Sequence, residues 1–449
     1  MHLHFGLEGV IAPLLYAASI VAFLLAVFWR PTVALYVLIP LLPVQNVRYR
    51  LHEFPLGTSF VDIMLLGALL GILRRREWSL PKLLTGLLAI VAGYTYLALW
   101  KGSLTLGLPA PVWVNDIRTS DWKDNLILPF TLFLLTYMAV KDAKRMKILL
   151  ALMCLSTVAL NRNIHDTAGT RDLSSFSYSA RAETGGIGSN GLAALEVQFG
   201  FFLLALSAFE RRKLLKIVYA GVAVFCFYAM MLCFSRGAYV AFLLGWLYFG
   251  FVKQRKLLIL FCLFLFSWQL IVPNAVRERI FMTYNAQQGE LESSAGQRVT
   301  LWEDALQVFR VDPVFGTGYD TYRLMHRVDI YTDTHNLYIK LLVELGIVGL
   351  ILFLLLFWRL YRLGYTLFRS AKDPFLASLG LGLAAWMVCA LFVNCFGDRW
   401  NYMQISGYLW AIAACVVRAH EITDEEATNL QMVRTDSGRT ASAELVSAT

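Results

Sequence analysis

His335 lies in the stretch TDTHNLYIK, where a long polar segment gives way to an apolar run. A neutral imidazole near pH 7 can take a proton from a sugar hydroxyl. A lone loop histidine is more often a polar surface residue, so its neighbours matter. Asp333, Thr334 and Asn336 stand beside it and can orient the ring or cap the helix that follows. The second feature is arginine. The polar segments on the same side of the chain as His335 carry Arg162, Arg171, Arg181, Arg236, Arg277, Arg279, Arg298, Arg310, Arg323, Arg327 and Arg399. Lysine would serve equally for solubility. A planar guanidinium grips phosphate and diphosphate oxygens two at a time, which lysine does not. Any one of these arginines is more often a surface charge or a structural ion pair. Arg236 is the exception, because FSRGAYV squeezes it between two apolar runs, where a cation needs an anionic partner such as a headgroup or a diphosphate.

Two further stretches have a positional meaning. RVTLWEDALQVFRVDPVFGTGYDTY reads as an amphipathic helix, a break at Pro313 and a turn through Gly316 and Gly318 that lets backbone approach another surface. Val299, Leu301, Trp302, Ala305, Leu306 and Phe309 share the helical spacing, so this helix turns an apolar face to lipid or to the rest of the protein. ETGGIGSNGLA could offer backbone amides to a phosphate at a helix start, although a loop resting on the bundle is the commoner role for such a stretch. It matches neither a Walker motif nor a dinucleotide fingerprint. Glu303 and Asp304 are adjacent, hence on different sides of a helix, and are not read as a catalytic pair. Glu183, Asp320, Asp329 and Asp333 follow no metal-ligand pattern, and the seven cysteines show no metal spacing. No metal and no other cofactor is expected.

The elements that must position these residues are membrane helices. Of 449 residues, 58% are hydrophobic and 16% charged, with mean hydropathy +0.58. A soluble chain carries about one quarter charged residues. The apolar residues fall in runs at 9–29, 32–44, 59–73, 83–100, 126–140, 146–161, 191–209, 214–234, 237–252, 256–273, 337–359, 376–396 and 403–419, close to the roughly 20 residues a bilayer core needs. The expected fold is therefore all-α, a polytopic transmembrane bundle of 12–13 spans. The doubt over the count is the short run at 32–44, which holds Pro40 and Pro43. The net charge of +9 does not point to nucleic acid, because the basic residues form clusters between apolar runs. Arg74–Arg76 with Lys82, Lys141–Lys147, Arg211–Lys216, Lys253–Lys256 and Arg359–Lys372 occupy alternate loops, which places them all in the cytoplasm. The same alternation puts 45–58, 101–125, 162–190, 274–336 and 397–402, and the N-terminus, outside. Two of these outer loops, 162–190 and 274–336, are too long to be simple connectors. The polar tail, 420–449, is expected to be cytoplasmic and disordered. The N-terminus lacks the Lys or Arg of a cleaved signal peptide.

SRGAYV, then R-x₃-W-x₂-A-x₃-F-x₃-P-x₂-G-x-G-Y, then THNLYIKLLVELGIVGLILF, resembles the O-antigen ligase and O-antigen polymerase superfamily of bacterial membrane glycosyltransferases. The positions that carry the resemblance are Arg236, Arg298, Trp302, Ala305, Phe309, Pro313, Gly316, Gly318, Tyr319, His335, Asn336, Glu344, Gly346 and Gly349, within a block of about 191–360. The resemblance implies a C-type glycosyltransferase of the inner membrane, with a large helical periplasmic loop over a periplasm-facing active site. It implies an undecaprenyl-diphosphate-linked glycan as donor, and lipid A–core (as in lipopolysaccharide) or a second lipid-linked glycan as acceptor. The implied reaction is metal-independent and inverting. Carried over, His335 is the general base, and Arg236 and Arg298 grip the diphosphate. Arg181 and Asn190 match the preceding loop less closely. Asn336, Tyr319 and Gly318 are expected to support the site. Three functions stay open: a ligase, a polymerase of O-antigen or exopolysaccharide repeat units, and, from helix count alone, a transporter of small anions or lipid-linked substrates.

Overall fold

The computed structural model describes residues 8–44, 48–112, 116–169, 171–183, 187–282, 284–285, 290–291, 293–328 and 333–447. Asp329, Gly185 and Gly186 lie outside the described residues. Every apolar run of the sequence becomes a helix. The first half of the chain builds α1 (Glu8–Phe28), α2 (Thr32–Leu41), α3 (Phe60–Arg75), α4 (Thr85–Leu106), α5 (Ile117–Trp122), α6 (Leu128–Ala139) and α7 (Ala143–Ile164). The second half builds α8 (Ser189–Phe209), α9 (Lys213–Leu232), α10 (Arg236–Val252), α11 (Lys256–Ile271), α12 (Asn274–Phe281), α13 (Ser293–Phe309), α14 (Thr321–Leu324), α15 (Leu337–Ser370), α16 (Pro374–Val393) and α17 (Met403–Ser447). A two-residue ladder, Tyr284–Asn285 against Glu290–Leu291, joins α12 to α13.

The all-α polytopic bundle is as expected. Among the described residues seven helices are long and apolar enough to cross a membrane, or eight if α11 and α12 count as one bent span. Four of the other runs form helices that are shorter or more charged. Helices α2, α6 and α10 have only 10, 12 and 17 residues, and α7 carries Lys144, Arg145, Lys147 and Arg162. The tail departs from expectation, because its backbone continues α17 as far as Ser447. A helix already nucleated by its buried amino-terminal half adds residues at little further cost, and this offsets the polar composition of 420–447.

Helix starts follow local chemistry. Asp116 accepts from the Arg118 amide, Asp142 from the Arg145 amide, and Asp373 from the amides of Phe375 and Leu376, with Pro374 in the first turn. The core gathers around α8 and α16, the two most buried spans, with α9, α10 and α15 packed on them. Helices α15 and α16 meet through Gly364 and Gly380, where an added Cβ would come within 2.7 Å and 2.4 Å of the facing backbone. Small residues at such a crossing let helices in lipid gain close van der Waals contact.

The contact that most constrains the site is a break in α15. Gly346 has φ 66° and ψ −170°, a backbone region open essentially to glycine alone. The break leaves carbonyls and amides without helical partners, and the 313–318 turn supplies them. Thr317 and Gly318 amides donate to the Val343 and Glu344 carbonyls, both at 2.9 Å, while Ile347 and Val348 amides donate to the Pro313 and Val314 carbonyls at 2.9 and 3.2 Å. The turn also reaches α4, where the Tyr319 amide donates to the Ala98 carbonyl at 3.0 Å. A Cβ on residue 346 would lie 2.2 Å from the Val314 carbonyl oxygen. Gly346→Ala is therefore expected to destabilise the protein by at least about 2 kcal/mol, from backbone strain and lost docking together. Gly86→Ala, where nothing lies within 4 Å of the added Cβ, should be neutral or slightly stabilising. Thermal unfolding of the purified variants in detergent measures both; equal melting temperatures would refute the docking argument.

Candidate active site

Five of the residues singled out in the sequence come together. Arg181, Asn190, Arg236, Arg298 and His335 line one cavity of about 160 Å³, with Tyr178, Phe234, Gln297 and Arg279 among their neighbours. They arrive from five separate parts of the chain, each held by identifiable contacts.

Arg181 follows a single tight turn at Tyr178–Ala180. Its Nη2 donates to Asn190 Oδ1 at 3.0 Å and its Nε to the Cys233 carbonyl at 3.3 Å. Asn190 is the second residue of α8, whose N-cap is Gly188. Arg236 is the first residue of α10, with Ser235 at its N-cap. The amino ends of two long helices thus border the cavity, and such ends carry partial positive charge and orphan amides. Arg298 stands in the first half of α13. That helix buries Ala305 and Val308 against Tyr322 of α14 and Val343 of α15. Its Trp302 indole donates to the Thr334 carbonyl at 2.9 Å, which ties α13 to the residue before His335.

His335 itself has φ 51°, a left-handed conformation that costs a side chain energy and persists only where surroundings impose it. Thr334 imposes it by donating from Oγ1 to the Asn336 carbonyl at 2.8 Å. Asn336 caps α15, accepting from the amides of Tyr338 and Ile339 at 3.0 and 3.2 Å. The His335 Nδ1 lies 3.4 Å from Asp333 Oδ2, with the ring about one third exposed. Burial alone would raise the Asp333 carboxyl; the hydrogen bond from His335 and the charge of Lys340 outweigh it and hold Asp333 below its usual value. Asp333 is accordingly ionised at neutral pH. A carboxylate on Nδ1 favours the tautomer with its proton there, leaving Nε2 to accept.

The three expected supporting residues lie outside the lining. Gly318 and Tyr319 are not part of this lining; they belong to the clamp between the 313–318 turn, α4 and α15. Their spacing came from that docking and not from the cavity. Asn336 serves as helix cap, outside the lining. Arg279, conversely, was only one arginine among many in the sequence. It is 4% exposed, stacks over Phe176 and Tyr178 at 4.8 and 5.2 Å, and lines the cavity from α12. Its signal was Val276, Arg279 and Ile280 at helical spacing, in a segment too short to stand out. Burial and the nearby Arg279 charge both push the Arg181 guanidinium down from its usual value. Like charges held this close gain when an anion enters.

A second cavity, about 500 Å³ and lined by Phe242, Phe264, Trp268, Val276 and Ile280 among other apolar residues, flanks the same helix α12. The cationic hollow and an apolar trough thus share one wall.

A family model described as O-antigen ligase matches residues 221–354. Over these residues the chain is similar to the O-antigen ligase family. No curated protein matches the chain. The ligase-family block contains Arg236, Arg279, Arg298, Asp333 and His335, whereas Arg181 and Asn190 enter the cavity from outside it. With its apolar spans, the chain is a multi-pass membrane protein.

An anion should stabilise this arrangement. Inorganic pyrophosphate at one hundred times its Kd is expected to add about 2.7 kcal/mol of stability, read as a rise in melting temperature. Arg279→Gln and Arg298→Gln should each remove most of that rise. A rise that survives in both variants would place the anion elsewhere.

Proposed function

We propose that this protein is a membrane glycosyltransferase of ligase type. It moves a glycan from an undecaprenyl diphosphate carrier to a hydroxyl of an acceptor such as lipid A–core, at the periplasmic face of the inner membrane. The observation that carries the reading is the convergence of Arg181, Arg236, Arg279, Arg298 and His335 on one hollow. The donor is an amphiphile, and the cationic hollow and apolar trough on either side of α12 suit its two halves.

In this reading the guanidinium groups hold the diphosphate through paired hydrogen bonds. The acceptor hydroxyl approaches the anomeric carbon from the side opposite the diphosphate. As the new C–O bond forms, the bond from that carbon to the diphosphate oxygen breaks and its electron pair leaves with the diphosphate. The arginines stabilise the charge that grows there. His335 Nε2 takes the hydroxyl proton, while Asp333 holds the ring and balances the imidazolium. Attack from the opposite face inverts the anomeric centre. The donor carries its own activation, so no nucleotide is needed on that face.

A polymerase would use the same donor machinery and differ in its acceptor. In a strain lacking the protein, accumulation of long lipid-linked chains is expected; accumulation of single repeat units would identify a polymerase instead. In purified protein, His335→Ala should lower transfer at least about 100-fold with the donor still bound, and Arg298→Ala should weaken donor binding. Undiminished transfer by His335→Ala would remove His335 as the base.

A further inference from the structure

A polar hollow larger than the one that holds the arginines adjoins it. A cavity of about 440 Å³ lies on the other side of the Asp333–His335 pair. Asp333 lines this cavity, and His335, 3.4 Å from it, lines the cationic one. The two cavities differ in charge. The larger is lined by six carboxylates, Asp62, Asp121, Asp124, Asp320, Asp333 and Asp398, against the cations Arg48, Arg323 and Lys340; Arg323 pairs with Asp121 and Asp320, Lys340 with Asp398, and Lys123 behind the wall with Asp62 and Asp124. The smaller is lined by four arginines.

We propose that the acidic cavity is the acceptor subsite, taking the hydroxyl-rich, uncharged or amine-bearing end of a glycan and presenting one hydroxyl across the Asp333–His335 pair. This rests on the glycosyltransferase reading above. Several observations carry it. The volume falls within the roughly 300–1,000 Å³ of small-molecule pockets, whereas the cationic hollow is headgroup-sized. Carboxylates accept hydrogen bonds and donate none, so an array of them suits a ligand that is mostly O–H or N–H. Asn125, Asn401 and Gln404 add carboxamides, which both donate and accept. Asp398 is 4% exposed and lines the cavity. Its Oδ2 accepts from Lys340 at 3.0 Å, while among the described residues no donor reaches its Oδ1. A buried carboxylate oxygen calls for a donor, and a sugar hydroxyl is one. Among the described residues no three acidic or histidine side chains come close enough to share a metal ion, so the carboxylates are spread as contacts for an extended ligand. The same charge disfavours phosphate or uronate near the reacting hydroxyl.

The test uses the full chain in lipid nanodiscs and three trisaccharide probes: maltotriose, the glucosamine trimer of chitosan, and trigalacturonate. Binding is measured by saturation-transfer NMR and titration, and undecaprenyl diphosphate binding is measured in parallel. Maltotriose and the glucosamine trimer should bind at least ten-fold tighter than trigalacturonate. The double substitution Asp62→Asn with Asp124→Asn should weaken both at least five-fold and narrow the preference, with undecaprenyl diphosphate binding unchanged. Thr58→Trp, which places an indole into the cavity from an exposed loop position, should block all sugar binding and spare the diphosphate, and it serves if the double variant does not fold. Equal affinity for trigalacturonate, or sugar affinity unchanged in both variants, overturns the proposal. Normal diphosphate binding with no sugar binding overturns it and leaves the donor reading intact. Selective sugar binding without diphosphate binding supports the cavity assignment and removes the donor reading.

Discussion

The architecture depends on a helix that is interrupted where it would otherwise be regular. At Gly346 the long helix α15 gives up its own hydrogen bonds, and the backbone of the 313–318 turn takes them over at 2.9–3.2 Å. In lipid, unpaired amides and carbonyls cost several kcal/mol each, so the break and the turn are obligatory partners. This one exchange fixes the polar segment that precedes α15 relative to the bundle. The consequences reach the site through α13, which the turn follows and which packs on α15 by Ala305 and Val308. From α13 the Trp302 indole holds Thr334, and Thr334 and Asn336 hold His335 in its left-handed backbone.

On that frame two hollows of different charge meet. Arginines from four elements and two helix amino ends surround a small one, and six carboxylates with Arg48, Arg323 and Lys340 surround a larger one. The Asp333–His335 pair forms the partition, with the imidazole on the cationic side and the carboxylate on the acidic side. Such a division suits a reaction between an anionic leaving group and a polyhydroxylated nucleophile. Each reactant is drawn to its own side before any bond changes, and repulsion keeps them from exchanging places.

Much of this was legible in the sequence, and the reasons are specific. The apolar runs announced the helices because hydrophobic length is set by bilayer thickness. Arg236 and His335 stood out because a charge or an imidazole at the edge of an apolar run needs a reason, and Arg298 stood out through the family resemblance. Gly316 marked a turn that approaches another surface, and it does so against Glu344. Gly318 and Tyr319 stand in the docking turn and not in the cavity lining. Arg279 was hidden because the aromatic rings that hold it, Phe176 and Tyr178, lie about one hundred residues away. The acidic cavity was invisible for the same reason: Asp62, Asp121, Asp320 and Asp398 share no spacing, and only tertiary packing brings them to one wall.

The central claim is that guanidinium groups from α10, α12, α13 and the 171–183 segment grip one diphosphate beside His335. A cryo-electron-microscopy map of the full chain in lipid nanodiscs with undecaprenyl diphosphate tests it most directly. The account predicts diphosphate density ringed by Arg181, Arg236, Arg279 and Arg298, with phosphate oxygens about 2.8 Å from guanidinium nitrogens and the prenyl chain lying along the trough at Phe264 and Trp268. Diphosphate density elsewhere on the protein, with this hollow unfilled, would contradict it.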